Sequence, residues 1–416
     1  MKKTMNQKME LKKGLILAWI LLWGYILTAS PPIHQDLEII STEKTEENVI
    51  KLAPLKLDRL MEWKNRLYFI ISSEEKVLLQ KYGITFSVER PASASAPENI
   101  THGININGAY HTYTELEQEI RDIENRFPSI IQVKDIGKSL ESRSIYAVKI
   151  SDNVSEDEDE AEVIFIGCHH AREWISVEVP FLFIKHLAEQ YESNTSIKSL
   201  VDKSEIWIIP LLNPDGLEYS IYVYRYWRKN MRDNGDGSYG VDLNRNYDYM
   251  WGIDNVGSSS NTTSSVYRGT APFSEPETQA VRDLFRDRNF QALVSYHSYS
   301  QIIIYPWGYT PEAPPDSTLH HQIVSKMSDL MWAVNGRTYS YGQAGQAMYL
   351  TNGDTTDWSY GIYGIPSLTI ELPPIDLFHG GFFNAEEDIQ SIFNENLPAM
   401  IYLIEWCISQ HESGKT

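Results

Sequence analysis

The sequence predicts an α/β fold: a mixed, mainly parallel and twisted central sheet covered by helices on both faces, preceded by a small N-terminal α+β unit. Three observations carry that expectation. From about residue 109 to the end, short apolar runs of strand length alternate with amphipathic stretches of helix length. Those runs are largely apolar on consecutive residues, the pattern of strands buried on both faces. Upstream, "RPASASAPENITHGININGA" (90–109) is rich in Pro, Ala, Ser, Gly and Asn, a composition that makes an exposed linker between two folded parts.

Taken in order, residues 1–30 stand outside the pattern. A basic "MKKTMNQKMELKK" leads into "GLILAWILLWGYILTAS", an apolar run of about fifteen residues ending in small ones, the layout of a secretory signal peptide. The run is short of the roughly 20 apolar residues of a membrane span. Pro31 and Pro32 crowd the cleavage point, so an uncleaved anchor through residues 14–28 is the alternative. Either way the bulk of the chain is expected outside the cytoplasm.

Residues 31–90 form the small unit. "RLYFIIS" reads as a strand, and "EEKVLLQKYGITFSVE" as a helix stopped at Gly83 and followed by a strand. Its size is marginal for an independent core. Past the linker (91–108), "TYTELEQEIRDIENRF" spaces Leu116, Ile120, Ile123 and Phe127 three or four apart, an amphipathic helix. The strands expected after it are "SIYAVKI", "AEVIFIG", "SEIWIIPLL", "QALVSYHS" and "SLTIEL"; "SVEVPFLFIKHLAEQY" and "EPETQAVRDLFRDRN" are helices between them. The acidic run "SEDEDEAE" (155–162) reads as a solvated turn. In sheets of this kind, sites gather where the strands end.

Composition narrows the function. The 36 basic against 56 acidic residues give a net charge of -20, which repels phosphate backbones and anionic membrane surfaces, so nucleic acid is not an expected partner. Two cysteines, Cys168 and Cys407, are too few for a disulfide scaffold and read as buried thiols, with one long-range disulfide the alternative.

The chemistry concentrates at strand ends. "VIFIGCHHAREWISVEV" (163–179) places His170 and Glu173 three apart directly after a buried strand, a spacing that puts both on one face of a helical turn and can hold a divalent metal. H-x-x-E alone is weak, and His169 reads equally well as a packed histidine. His297, at the end of another strand, can supply a third ligand and leave a fourth position for water. Glu371 is a carboxylate inside the apolar "SLTIEL", where an unpaired charge is costly, so it is either structurally paired or functional. Beside a metal it is the natural general base. "GVDLNRNYDYMWG" adds Asn244 and Arg245, able to grip a carboxylate, or simply a polar loop.

With these motifs in hand, the chain resembles the zinc metallocarboxypeptidases of the M14 family, over roughly residues 109–410, and looks most like the bacterial carboxypeptidase T branch. The resemblance implies the carboxypeptidase A/B fold. "HAREW" then carries the zinc ligands His170 and Glu173, with Arg172 contacting substrate. "DLNRN" carries Asn244 and Arg245, which bind the substrate's terminal carboxylate. "HSYSQ" carries the ligand His297, with Ser298 and Tyr299 lining the cleft. "AMYLTNGDTTDWSYG" places Tyr349 as the tyrosine that closes over substrate, and "TIEL" places Glu371 as the catalytic glutamate. Thr356 and Asp354 fall in the pocket that selects the terminal side chain, which implies dual specificity for apolar and basic termini; the alternative for Asp354 is a cap on a local turn beside Gly353. Residues 31–90 resemble a shortened activation prodomain, cut from the catalytic domain (109–416) by an activating protease.

The resemblance implies a secreted exopeptidase with one Zn2+ per chain, structural Ca2+ and peptide or protein C-termini as substrate. One departure stands out. In "WRKNM" the resemblance leads one to expect an arginine where Met231 stands, as the donor for the developing oxyanion; Arg228 and Arg232 are the nearby replacements. The alternatives are a catalytically impaired binding homologue of the same fold, favoured by Met231, and a cell-wall peptide amidase, disfavoured by Asn244 and Arg245.

Overall fold

The computed structural model describes residues 38–89, apart from 53, 54, 56, 64 and 72, and residues 107–414; of the side chains at 59–63, 73, 74 and 378 nothing is described. The signal or anchor expected at 1–30 and most of the linker lie outside the described residues. Among the described residues no helix is long and apolar enough to cross a membrane.

The small unit is built from β1 (Glu38–Glu43), α1 (Glu46–Leu52), β2 (Asp58–Trp63), β3 (Arg66–Ile71), α2 (Ser73–Lys81) and β4 (Ser87–Glu89). Its four strands pair antiparallel in the order β2-β3-β1-β4. Strand alternation sends Ile40, Leu67, Phe69 and Ile71 to one face, where they pack on Leu52, Leu79 and Ile84. Ile39 and Ile70 face the other way and are buried against Tyr299, Leu377 and Phe382 of the larger body. So the small sheet uses both faces, one for its own core and one as a cover.

The larger body begins with α3 (Tyr113–Arg126), whose start is fixed by a reciprocal capping box between Thr112 and Glu115. Then follow β5 (Ile131–Lys138), β6 (Ser144–Ile150), β7 (Ala161–Ile166), α4 (Ile175–Gln190), α5 (Thr195–Val201), β8 (Ser204–Ile209) and α6 (Pro214–Tyr222). The second half holds α7 (Pro276–Arg286), β9 (Phe290–Ser298), β10 (Ile302–Tyr305), α8 (Ser317–Asn335), β11 (Ser340–Gln343), α9 (Thr355–Tyr363), β12 (Ser367–Leu372) and α10 (Ile389–Gly414).

Eight strands form one mixed sheet in the order β11-β10-β12-β9-β7-β8-β6-β5, with β12, β9, β7 and β8 parallel at its centre. Alternation along each central strand divides the core. Val163 and Phe165, Ile206 and Ile208, Val294 and Tyr296, Ile370 and Leu372 face α4 and α10, in a cluster with Phe183, Ile184, Met400 and Ile404. Ile164, Ile166, Trp207, Ile209 and Leu293 face the other side, against Val281 and Phe285 of α7 and Trp358 of α9. With about 1.5–3 kcal/mol for each large apolar side chain buried, two such layers fix the sheet firmly. On β9 and β12 the second face is not apolar throughout, because Ser295, His297 and Glu371 are the residues that alternate with those of the first.

Candidate metal centre and substrate cleft

Gly167 ends β7, and a Cβ there would lie 2.2 Å from the carbonyl oxygen of Ser176 and 2.7 Å from that of Pro210, so only glycine lets the chain turn so tightly against α4 and β8. The turn delivers His170 and Glu173, joined by a bond from Glu173 N–H to the His170 carbonyl, 3.1 Å. It is one hydrogen-bonded turn; the helix proper starts at Ile175. His297 comes from the end of β9, and the parallel register sets Glu371 of β12 directly beside it.

His170 Nδ1 lies 2.9 Å from Glu173 Oε1, while His297 Nδ1 lies 3.1 Å from His170 Nδ1 and 3.0 Å from Glu173 Oε2. All three side chains are buried. Ligands at the usual bond lengths of a tetrahedral zinc stand about 3.3–3.5 Å apart, close to these separations. Two imidazole nitrogens face each other and a carboxylate, which is the donor set of a zinc ion, so the residues fit the metal. Burial works against charge on Glu173, yet His170 and His297 hold its carboxyl well below the usual range. Burial also pushes the His297 imidazole down, against the pull of Glu173.

The outer nitrogens are also occupied. His170 Nε2 is 3.1 Å from Asp242 Oδ1, and Arg228 donates to Asp242 Oδ2 at 2.9 and 3.1 Å. His297 Nε2 is 3.0 Å from Ser295 Oγ. A carboxylate behind a ligand histidine orients the ring and raises its basicity. Asp242 also accepts from Asn244 N–H at 3.0 Å and so starts the short helical turn Leu243–Arg245 that presents the next two residues.

One cavity collects most of the residues named from sequence: His170, His297, Glu371, Asn244 and Arg245, and further out Tyr349, Asp354 and Thr356. Burial, and then the charge of Glu173, push the carboxyl of Glu371 well above its ordinary range. Arg245 is anchored by bonds to the carbonyls of Gly257 and Asn244. Asp354 caps α9 by accepting from Asp357 N–H at 2.9 Å, and also accepts from the hydroxyls of Thr356 and Thr351. It therefore caps a helix and lines the cavity at once.

Other residues stand elsewhere. Arg172 makes a two-pronged ion pair with Asp58 of the small unit, 2.5 and 3.0 Å, and lies over the Phe382 ring. Tyr299 is buried in the cluster formed with Ile39 and Ile70. Ser298 contributes its backbone N–H, 3.2 Å from Glu173 Oε2. Arg232 does not line the cavity; it bonds Glu275 at 3.0 Å. Arg228 does line it, with a guanidinium nitrogen 3.9 Å from Glu173. Cys168 and Cys407 are both buried free thiols.

Sequence reasoning leaves Asp242, Ser295 and Thr355 unassigned. The available signal is a polar residue inside an apolar strand: Ser295, between Val294 and Tyr296, shares a strand face with His297.

A mixed sheet whose parallel strands end on a buried His-Glu-His centre, with a further carboxylate in the same cavity, defines a metal-dependent hydrolase. The sequence model of the family described as zinc carboxypeptidase matches residues 116–399. Carboxypeptidase O of Bos taurus is 33% identical over 301 residues, 71% of this chain and 78% of that protein. A zinc carboxypeptidase of Saccharothrix mutabilis subsp. capreolus is 35% identical over 273 residues, 64% of this chain and 62% of that one. Among solved structures, thrombin activatable fibrinolysis inhibitor superposes with a TM-score of 0.74 at 26% identity, over 90% of this chain and 99% of that one. The chain belongs to the zinc carboxypeptidase family and is a metallocarboxypeptidase.

Proposed function

We propose that this enzyme is an exported exopeptidase that removes single C-terminal residues, apolar and basic alike, and that residues 31–90 hold it inactive until a protease cuts within 91–108. The observation that carries the reading is the shared cavity: His170 and His297 of the His-Glu-His group, Glu371 beside them, and the Asn244–Arg245 pair able to grip a carboxylate.

Zinc on His170, Glu173 and His297 supplies Lewis acidity for the scissile carbonyl and for an attacking water. Asn244 and Arg245 hold the terminal carboxylate and so fix the last peptide bond as the one cut. Glu371 takes the proton of the attacking water and hands it to the leaving amine. Arg228 is the donor for the charge that develops on the carbonyl oxygen. Its place in the cavity leaves no gap for Arg232 to fill, so Met231 costs the site no donor. Tyr349, exposed at the rim, closes over the bound terminus. Arg172, Ser298 and Tyr299 serve the residues upstream of the scissile bond. Thr356, small and uncharged, admits apolar side chains, and Asp354 attracts basic ones.

Two contacts support inhibition by the small unit: the Asp58–Arg172 ion pair and the burial of Tyr299 under Ile39 and Ile70. For structural calcium, Asp152, Glu158 and Glu160 form a ligand set, in which Asp152 Oδ1 and Glu160 Oε2 are buried without a hydrogen-bond partner. Export rests on residues 1–30.

The test is a mixed peptide set incubated with the purified protein, read by mass spectrometry. Loss of single C-terminal residues, abolished by chelation and restored by zinc, is expected. Cuts inside the peptides, or none by zinc-loaded protein freed of residues 31–90, would overturn the reading.

A further inference from the structure

The reading above gives His169 no task, although it is fully buried next to a metal ligand. Its ring stacks on His297 with centroids 5.4 Å apart. Both its nitrogens face hydroxyl groups. Ser295 Oγ is 3.2 Å from Nδ1, and Thr355 Oγ1 is 2.8 Å and Tyr247 Oη 2.9 Å from Nε2.

One fixed donor sets the direction of the bonds that run from Asn244 to His297. The backbone N–H of Thr355 can only donate, and it does so to the Asn244 side chain at 2.9 Å, which makes the receiving atom the amide oxygen. That oxygen carries no proton, so the Thr355 hydroxyl, 2.8 Å away, donates to it as well. With its proton committed, Thr355 Oγ1 accepts from His169 Nε2, which must carry the proton of the ring. In a ring that carries one proton, Nδ1 keeps its lone pair and receives the Ser295 hydroxyl. Ser295 Oγ then accepts from His297 Nε2–H at 3.0 Å. His297 Nδ1 is thereby left with its lone pair, facing His170 and Glu173. At the far end, Asn244 Nδ2 stands 3.5 Å from His297 Nε2, two donors that do not bond, and stays free for a ligand.

We propose that His169 is a positioning residue at the middle of a directional relay, His297–Ser295–His169–Thr355–Asn244. One arm fixes which nitrogen is offered to the metal, and the other fixes which edge of the Asn244 amide is offered to the substrate's terminal carboxylate. The second arm rests on the carboxypeptidase reading; the first needs only a metal.

Two conservative substitutions separate the arms. His169→Gln places an amide donor near the position of Nε2, keeping the bond to Thr355 and losing the acceptor for Ser295. His169→Asn places its amide near Nδ1 and does the reverse. In the full chain, zinc affinity measured by competition with a chelating dye is expected to fall about tenfold in the Gln variant and to hold in the Asn variant. With a peptide ending in Leu, and the form of the wild type that turns over, KM is expected to rise about tenfold in the Asn variant, with kcat changed less, and to hold in the Gln variant. Should either variant fail to fold, Ser295→Ala and Thr355→Val cut the same arms from outside. Both parameters moving together in both variants, or neither moving, overturns the relay. A wild type without turnover strikes the functional reading instead and leaves the zinc measurement to decide the first arm.

Discussion

The inner wall of the cleft and the outer lip proposed at Arg172 and Tyr299 are held in opposite ways. At the inner wall, each side chain is braced from within the larger body: His170 by Asp242, His297 by Ser295, and Glu371 by strand register. At the outer lip, Arg172 is held by Asp58, 114 residues upstream, and Tyr299 is covered by Ile39 and Ile70. The bracing inside comes from the same body as the side chains it holds, whereas the cover outside comes from the small unit. Metal binding should therefore be independent of the small unit, and turnover should not.

The largest effect expected follows from the inner wall. Glu371→Gln removes the group that moves protons and leaves the three ligands intact, so turnover should fall by about 10²–10⁴-fold with zinc content unchanged. His297→Ala should lose the metal itself. Stoichiometric zinc in His297→Ala, by elemental analysis, would break the ligand assignment. Next comes the lip. Asp58→Ala leaves Arg172 buried under the small unit without its carboxylate, and burial of an unpaired guanidinium weakens the cover by a few kcal/mol. Full-length Asp58→Ala should thus gain roughly tenfold or more in activity and approach the trimmed enzyme, while its zinc affinity stays put. Equal activity of full-length and trimmed wild type would show that the lip contacts do not inhibit.

The contrast also explains what could be read from the sequence. His170, Glu173, His297 and Glu371 are charged or ligating residues in or just after apolar strands, where burial makes such groups costly, so the inner wall was legible. The four parallel strands were legible for the same reason, being continuous apolar runs. β11 was not: Ser340–Gln343 is a polar edge strand with no run to find. Nor was Asp242, because a carboxylate in a polar loop looks like any other until the fold brings it to His170. Nor does "WRKNM" by itself separate its neighbouring arginines: Arg228 lines the cavity, and Arg232 is turned away to Glu275. Asp58 gave no signal at all, since its partner is distant in sequence.

A smaller effect concerns how the larger body closes just after the linker. His111 Nδ1 is 2.8 Å from Glu178, in the first turn of α4, and its Nε2 is 3.2 Å from Glu119 of α3. Burial tends to lower its pKa, but Glu178 and Glu119 raise it to about 9. A folded-state pKa above the unfolded value of about 6.5 means stabilisation that is complete below that value and is lost as pH rises through about 9. The contribution is of order 2–3 kcal/mol. His111→Ala should lower the melting temperature at pH 6, and the gap from wild type should narrow by pH 9.5. A gap that stays constant across that range would remove the charge from the account and leave packing on Phe181 as its source.

The smallest effect sits in the wall of the cavity. Asp354 lines the cavity, yet one of its oxygens takes Asp357 N–H and the Thr356 hydroxyl, and the other takes the Thr351 hydroxyl. A carboxylate so well supplied with donors has less to give an incoming guanidinium than a free one. A charge-assisted hydrogen bond is worth about 1.5–3 kcal/mol, and competition with Thr351 for the same oxygen should leave the lower end of that range, roughly tenfold in preference. Asp354→Asn keeps an oxygen for the helix cap and removes the charge. Against matched peptides ending in Arg, Leu and Glu, it should lower kcat/KM for Arg relative to Leu by about that factor and relax the exclusion of Glu. If the Arg-to-Leu ratio is unmoved, Asp354 is a helix cap whose presence in the cavity wall is incidental, and basic termini are selected by some other residue of the pocket.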